Sequence, residues 1–395
     1  MTAAIDRTAP WMILGRAGLV AAVFVLGCGR AGNPTPAAPA PTPGSPEETA
    51  VPLVRTTSGA IATHNFLAEL ALAKKQHADQ PTNLKRTRAL VDHLFDQAQF
   101  FGKLASYDEA EALAKAALVD APKSGEAHLL RAHTLSALHQ FVAASAEIDR
   151  AEALGAPPEL VRHSRVGIWQ ATGKIDQALE ALGAWRRMRP NFTNLSAEAG
   201  ALADKHDYPH AAAVFSQARR DYDDVSPFAI AWSEFQEGHM WESAGRSDRA
   251  RPLFESALAR LPLYAAVAGH LAHLVAAFGD PEGLDRARAL LEPLVARTDD
   301  PEYVGELGAI YRQLHRPVEA DRLVSQATQR YEALLARHPE AFYDHAARFF
   351  LHVAGDPKRA LGLAQKNFAL RPTPDARDLL AEADRATSAT AGLER

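Results

Sequence analysis

Cysteine is all but absent: Cys28 is the one example in 395 residues. That excludes a disulfide framework and every metal motif built on paired cysteines. The common hydrolytic and zinc signatures are missing as well, with no H-E-x-x-H and no G-x-S-x-G elbow. Residues 167–175 come nearest to a phosphate loop. One residue too many precedes Gly173 and Lys174, however, and Ile175 stands where Ser or Thr belongs. Neither charge sign dominates: the net charge is -5, and the basic residues are scattered along helical segments rather than clustered. Scattered charge of this kind is a solvated helix face and excludes a nucleic-acid footprint. Aromatic residues make up only 7% of the chain, yet hydrophobic residues reach 47%, enough for a large core.

The head of the chain carries one short apolar run, residues 17–26, too short to span a bilayer as a helix. Arg7 and Arg16 precede it, and it ends in Val25, Leu26, Gly27 and Cys28. This stretch resembles the lipobox of bacterial lipoproteins, whose cysteine is lipidated and becomes the mature N-terminus. The resemblance implies a signal segment over 1–28, lipidation at Cys28 and a membrane anchor in the cell envelope. Acyl chains hold firmly because each buried methylene adds about 0.8 kcal/mol. Gly29 follows the cysteine, where lipoproteins retained at the inner membrane often carry Asp. The outer membrane, with display on its periplasmic face, is therefore the expected location. A secretory signal with an incidental cysteine is the alternative. Residues 29–58 then read as a flexible linker: seven prolines between positions 34 and 52, mixed with Ala, Thr and Gly, favour extended polyproline-like chain.

Beyond the linker one frame recurs. An alanine falls at 110, 144, 178, 211, 250, 287, 320 and 360, mostly 33 to 40 residues apart. Ahead of each lies a helical segment with a small or apolar residue near its middle: Ala98, Ala132, Val166, Ala199, Gly238, Ala272, Gly308 and Ala347. A larger residue follows one turn later, as in Phe101, Leu135, Trp169, Leu202, Trp241, Val275 and Tyr311, with Leu351 in the last. A short turn, often with Gly, separates it from the second helix. Small residues let helices approach, and large ones fill the gap between pairs. Period and residues resemble the tetratricopeptide repeat. The resemblance covers roughly residues 83–372 and implies an all-α fold, a right-handed solenoid of about eight helix pairs. Helices over 61–78 and from 373 onward are expected to cap its two ends, giving a domain over 59–386 and a disordered tail over 387–395. The turn at 280–283 is expected to be enlarged, and the connection at 221–227 lengthened. Trp185, where the frame usually has Ala, reads as core.

In such arrays the first helix of each pair lines the concave wall. The frame places His133, His163, His239, His273, His345 and His352 on that wall, together with Trp232, Phe235, Phe349, Gln170, Glu242 and Arg312. Phe342, Glu126 and Glu302 join them. His239 and His273 share one repeat position and are expected to approach each other; His239 and Glu242 lie one helical turn apart. The inner Lys, Asn and Arg clamp by which some relatives grip a chaperone's C-terminal carboxylate is missing: Phe95, Gln99, Leu129 and His133 stand there. A groove of aromatic anchors interleaved with polar groups suits binding of a protein partner. The expected function is that of a membrane-anchored scaffold in the cell envelope, binding rather than catalytic, with no cofactor. The alternative is a metal-binding or metal-dependent hydrolytic lipoprotein using the groove histidines.

Overall fold

The computed structural model describes residues 54–393 apart from 189 and 278. The expected signal segment, Cys28 and most of the linker lie outside the described residues. Within them are eighteen α-helices and no strand. Helix α1 (Gly59–Asp79) comes first. Eight pairs follow: α2 (Leu84–Phe101) with α3 (Ala105–Asp120), α4 (Gly125–Ala137) with α5 (Phe141–Ala153), α6 (Pro158–Ala171) with α7 (Ile175–Met188), and α8 (Phe192–Asp204) with α9 (Tyr208–Arg220). Next are α10 (Pro227–Ser243) with α11 (Ser247–Arg260), α12 (Ala265–Ala276) with α13 (Pro281–Arg297), and α14 (Pro301–Gln313) with α15 (Pro317–Arg337). The last pair is α16 (Pro339–Phe349), continued by a π turn over Phe350–Ala354, with α17 (Pro357–Leu370). Helix α18 (Pro374–Leu393) ends the array.

Local chemistry sets the helix starts. Ser58, Asn83 and Ser124 accept from the backbone N–H three residues on, at 3.2–3.4 Å. Asn191 does the same for Asn194 at 2.9 Å, so a glycosylation sequon serves here as a cap. Residues 280–283 form no enlarged turn. Asp280 caps α13 by accepting from the Gly283 N–H at 2.9 Å, and Pro281 occupies the first turn, where its missing N–H costs nothing.

The marked alanines are the closest points of helix packing: all eight are 0% exposed. Gly238 is as tightly placed, since a Cβ there would lie 2.5 Å from the Phe254 ring. Each turn between the two helices of a pair needs one residue in the left-handed region. Gly102, Gly173, Gly245, Gly279 and Gly355 supply it in five pairs, with φ of 64–75°. His139, His206 and His315 supply it in the other three, with φ of 56–64°. An L-residue there costs about 1 kcal/mol more than glycine. Three of the 16 histidines are thus turn residues.

The solenoid then closes on itself. Asp299 accepts from the N–H groups of Leu104 at 2.6 Å and Ala105 at 3.0 Å, capping α3 from 195 residues away. His139 Nδ1 meets the Glu340 carbonyl at 3.2 Å, a separation of 201 residues. Arg260 donates to the Val54 carbonyl at 2.6 Å, a separation of 206, while its Nε pairs with Glu234 at 3.0 Å. Six steps of a 34-residue period give the same spacing, so about six pairs complete one superhelical turn. The ends of the leading helices in the first turn meet the beginnings of leading helices in the next. Phe66, Phe100 and Phe101 close this seam around Phe228 at centroid distances of 4.9–6.2 Å.

At the far end, α18 runs past the expected boundary at 386 through Leu393. Thr387 Oγ1 donates to the Pro357 carbonyl at 3.1 Å, and that anchor to α17 sustains the helix over the stretch expected to be a tail.

Candidate partner-binding chambers

Closure changes what the inner wall offers. Helices α10 and α12, the leading helices of the fifth and sixth pairs, are buried on nearly every side. Of the residues expected on an open wall, Trp232, Phe235, His239, Glu242 and Phe349 are buried, at 2% to 8% exposure. This corrects the expectation of a free groove along the whole array: at the fifth and sixth pairs, α1 and α2 pack across it. His133, His163, Gln170, His273, His345 and His352 are half-buried, and Arg312 is exposed, where it donates to the Val353 carbonyl at 3.1 Å.

Three cavities take in His133, His163, Gln170 and His345 among these. One of ≈ 70 Å³ lies between α4 and α6 and includes His133 and His163. His133 stacks on Phe95 at 4.6 Å, and His163 stacks at 4.0 Å on Trp185, which is buried as expected. A second, of ≈ 100 Å³, is walled by Gln170, Ser196, Asp204, Trp232, His239 and Asp375. The third, of ≈ 80 Å³, joins the two ends of the array, with Gln99 and His139 from the first two pairs and Tyr264, Asp300, Glu302 and His345 from the last three. Trp232 and Gln236 line both larger cavities, so the two adjoin. Phe235 and Phe342 also face the third.

The chamber walls are rich in displaced proton equilibria. Burial would push His345 down, but Asp344 and Glu302 beside it hold it up at about 9; Glu302 Oε2 lies 2.9 Å from its Nδ1. Burial opposes ionisation of Asp344, yet His345 and Arg371 bring it to about 2. Asp204 and Asp300 are each pushed up to about 7, first by burial and then by Asp375 and Glu302 respectively. Burial, with Arg88 nearby, lowers His133 to about 3, leaving a neutral ring at physiological pH.

The His239 ring meets that of His270 edge-on at 5.2 Å, and His270 Nδ1 lies 2.5 Å from Glu242 Oε2. Neighbouring leading helices cross at an angle, so contact falls one helical turn away from the equivalent repeat position. His270 was legible as the residue one turn before His273 on the same face. Asp204 carried no such signal, because its partners Gln170 and Asp375 come from other elements.

No family model and no curated protein matches the chain. Solved structures do. The Rap protein complexed with Competence and Sporulation Factor is 15% identical, with 82% of this chain and 99% of that one covered and a TM-score of 0.50. A chain of the APC/C hetero-tetramer Cut9-Hcn1 is 17% identical at a TM-score of 0.45; the match takes in 77% of this chain but only 56% of that one. A tetratricopeptide repeat protein from Parabacteroides merdae is 13% identical at 0.39, covering 66% of this chain and 98% of that one. The fold is an all-α helical-repeat solenoid. Among the described residues of this solenoid, no helix is long and apolar enough to cross a membrane.

Proposed function

We propose that this solenoid is a lipid-anchored scaffold of the bacterial cell envelope, held at the outer membrane through Cys28, which binds a protein partner along its inner wall. One observation carries the binding half. His133 Nε2, Ser196 Oγ and Trp232 Nε1 are buried at cavity walls without a hydrogen-bond partner. A buried polar group left unpaired costs about 1–3 kcal/mol. A partner segment that brings acceptors and donors to these atoms recovers that cost. The aromatic rings around them are the residue types that anchor binding hot spots. Support for the anchor comes from the lipobox-like stretch before Cys28 and the proline-rich segment after it, a spacer between membrane and solenoid.

Affinity capture with the intact lipoprotein from solubilised membranes tests the binding half. A protein recovered in stoichiometric amount is expected. Trp232→Phe keeps the ring and removes the donor, and is expected to weaken capture about 5-fold, the equivalent of one hydrogen bond worth about 1 kcal/mol. Recovery of no partner by the unaltered protein across several growth conditions refutes the reading. Cys28→Ser is expected to move the protein from the membrane to the soluble fraction; retention in the membrane refutes the anchor.

A further inference from the structure

Inside the solenoid, side chains from two neighbouring leading helices converge. His239 and Glu242 stand one turn apart on α10, and His270 projects from α12. One donor atom from each lies within 4.8 Å of the other two, and all three residues are buried. We propose that His239, Glu242 and His270 form a binding site for a divalent first-row transition metal of the zinc class, clamping the fifth and sixth helix pairs together.

The donor set suits that class: two imidazoles and one carboxylate are the protein ligands of open zinc sites, which leave a fourth position for another molecule. Ligands 2.0–2.1 Å from a tetrahedral zinc sit roughly 3.3 Å from one another. The closest pair here, His270 Nδ1 and Glu242 Oε2, is at 2.5 Å, and the three donor atoms all lie within 4.8 Å of one another. Access exists on the side of His239, which lines the ≈ 100 Å³ cavity together with Gln236 and Ser243.

A hydrogen-bonded His–Glu pair by itself explains only part of this. It accounts for His270 and Glu242 but not for the His239 ring set edge-on beside them. Nor does it account for Glu306. That residue's Oε2 is buried without a hydrogen-bond partner. It lies 3.7 Å from where a Cβ on Gly269 would stand, one residue before His270. A dication among these groups gives the orphaned oxygen a positive neighbour. His273 also feels Glu242 but lies outside the three-atom cluster.

The test uses the full, untagged chain stripped with a chelator. Zn²⁺ is titrated against a chromophoric competitor, and Co²⁺ binding is read by its ligand-field absorption. One saturable equivalent is expected, at least 10-fold weaker in His239→Gln and in His270→Gln and unchanged in His273→Ala, with circular dichroism confirming the helical fold. A second readout needs no variant: Zn²⁺ is expected to shield His239 and His270 from diethyl pyrocarbonate, scored by peptide mapping. Absence of a saturable equivalent, binding that survives the double His239→Gln, His270→Gln change, or no shielding of those two rings overturns the assignment. The docking reading stands or falls separately, because it rests on Ser196, Trp232 and His133.

Discussion

Helix α3 offers a direct measure of how firmly the two superhelical turns hold each other. Its start has no side-chain cap of its own. Instead, the Asp299 carboxylate accepts from the N–H groups of Leu104 and Ala105 at 2.6 and 3.0 Å. Asp299→Ala removes both bonds at once. An exposed cap is worth about 1 kcal/mol and a well-formed, half-buried one up to about 2. The carboxylate also faces the positive end of the α3 dipole, which adds to the stabilisation. A loss of about 2 kcal/mol is expected in urea denaturation. Because the contact joins residues 195 positions apart, its loss loosens the seam rather than one helix. Amide exchange is expected to accelerate at residues 102–106 and at 298–300 together. Asp280→Ala provides the comparison: Asp280 caps its own helix locally, so faster exchange is expected at 281–284 alone. Unchanged exchange at 102–106 in Asp299→Ala, or a stability loss below about 0.5 kcal/mol, refutes the idea that Asp299 caps across the seam.

Two further outcomes follow from the turns and the chamber. His206 sits at φ 64° in an exposed position, where five other pairs have glycine; His206→Gly is expected to raise stability by about 0.5–1 kcal/mol, read from the denaturation midpoint. Asp204, pushed up to about 7 in the folded chain, holds its proton more tightly there than when unfolded. The stability tied to that proton is present below about pH 4 and is lost as pH rises through about 7. Asp204→Asn, which mimics the protonated form, is therefore expected to be the more stable variant at pH 8 and equal to the parent at pH 3.5; equal stability at both values refutes the shift.

What the sequence determined by itself is the unit. Short-range physics fixes it: alanines at a steady period, one small residue opposite each, and Ser, Asn or Pro at the helix starts. All eight marked alanines are fully buried, and eight helix pairs with a helix at either end are what the period implies. The residue types of the chambers were legible too, since a frame tells which helix a residue belongs to and which way it faces. Tertiary structure alone decided how the units curl. The superhelical angle is the sum of small rotations at the seven interfaces between pairs, and no single residue encodes it. Asp299 reads as a linker carboxylate until residues 102–105 are beside it, and His139 reads as a surface histidine until the Glu340 carbonyl arrives. The place of His270 beside His239 has the same origin. Equivalent positions share a face, but helices that cross at an angle meet one turn away from equivalence.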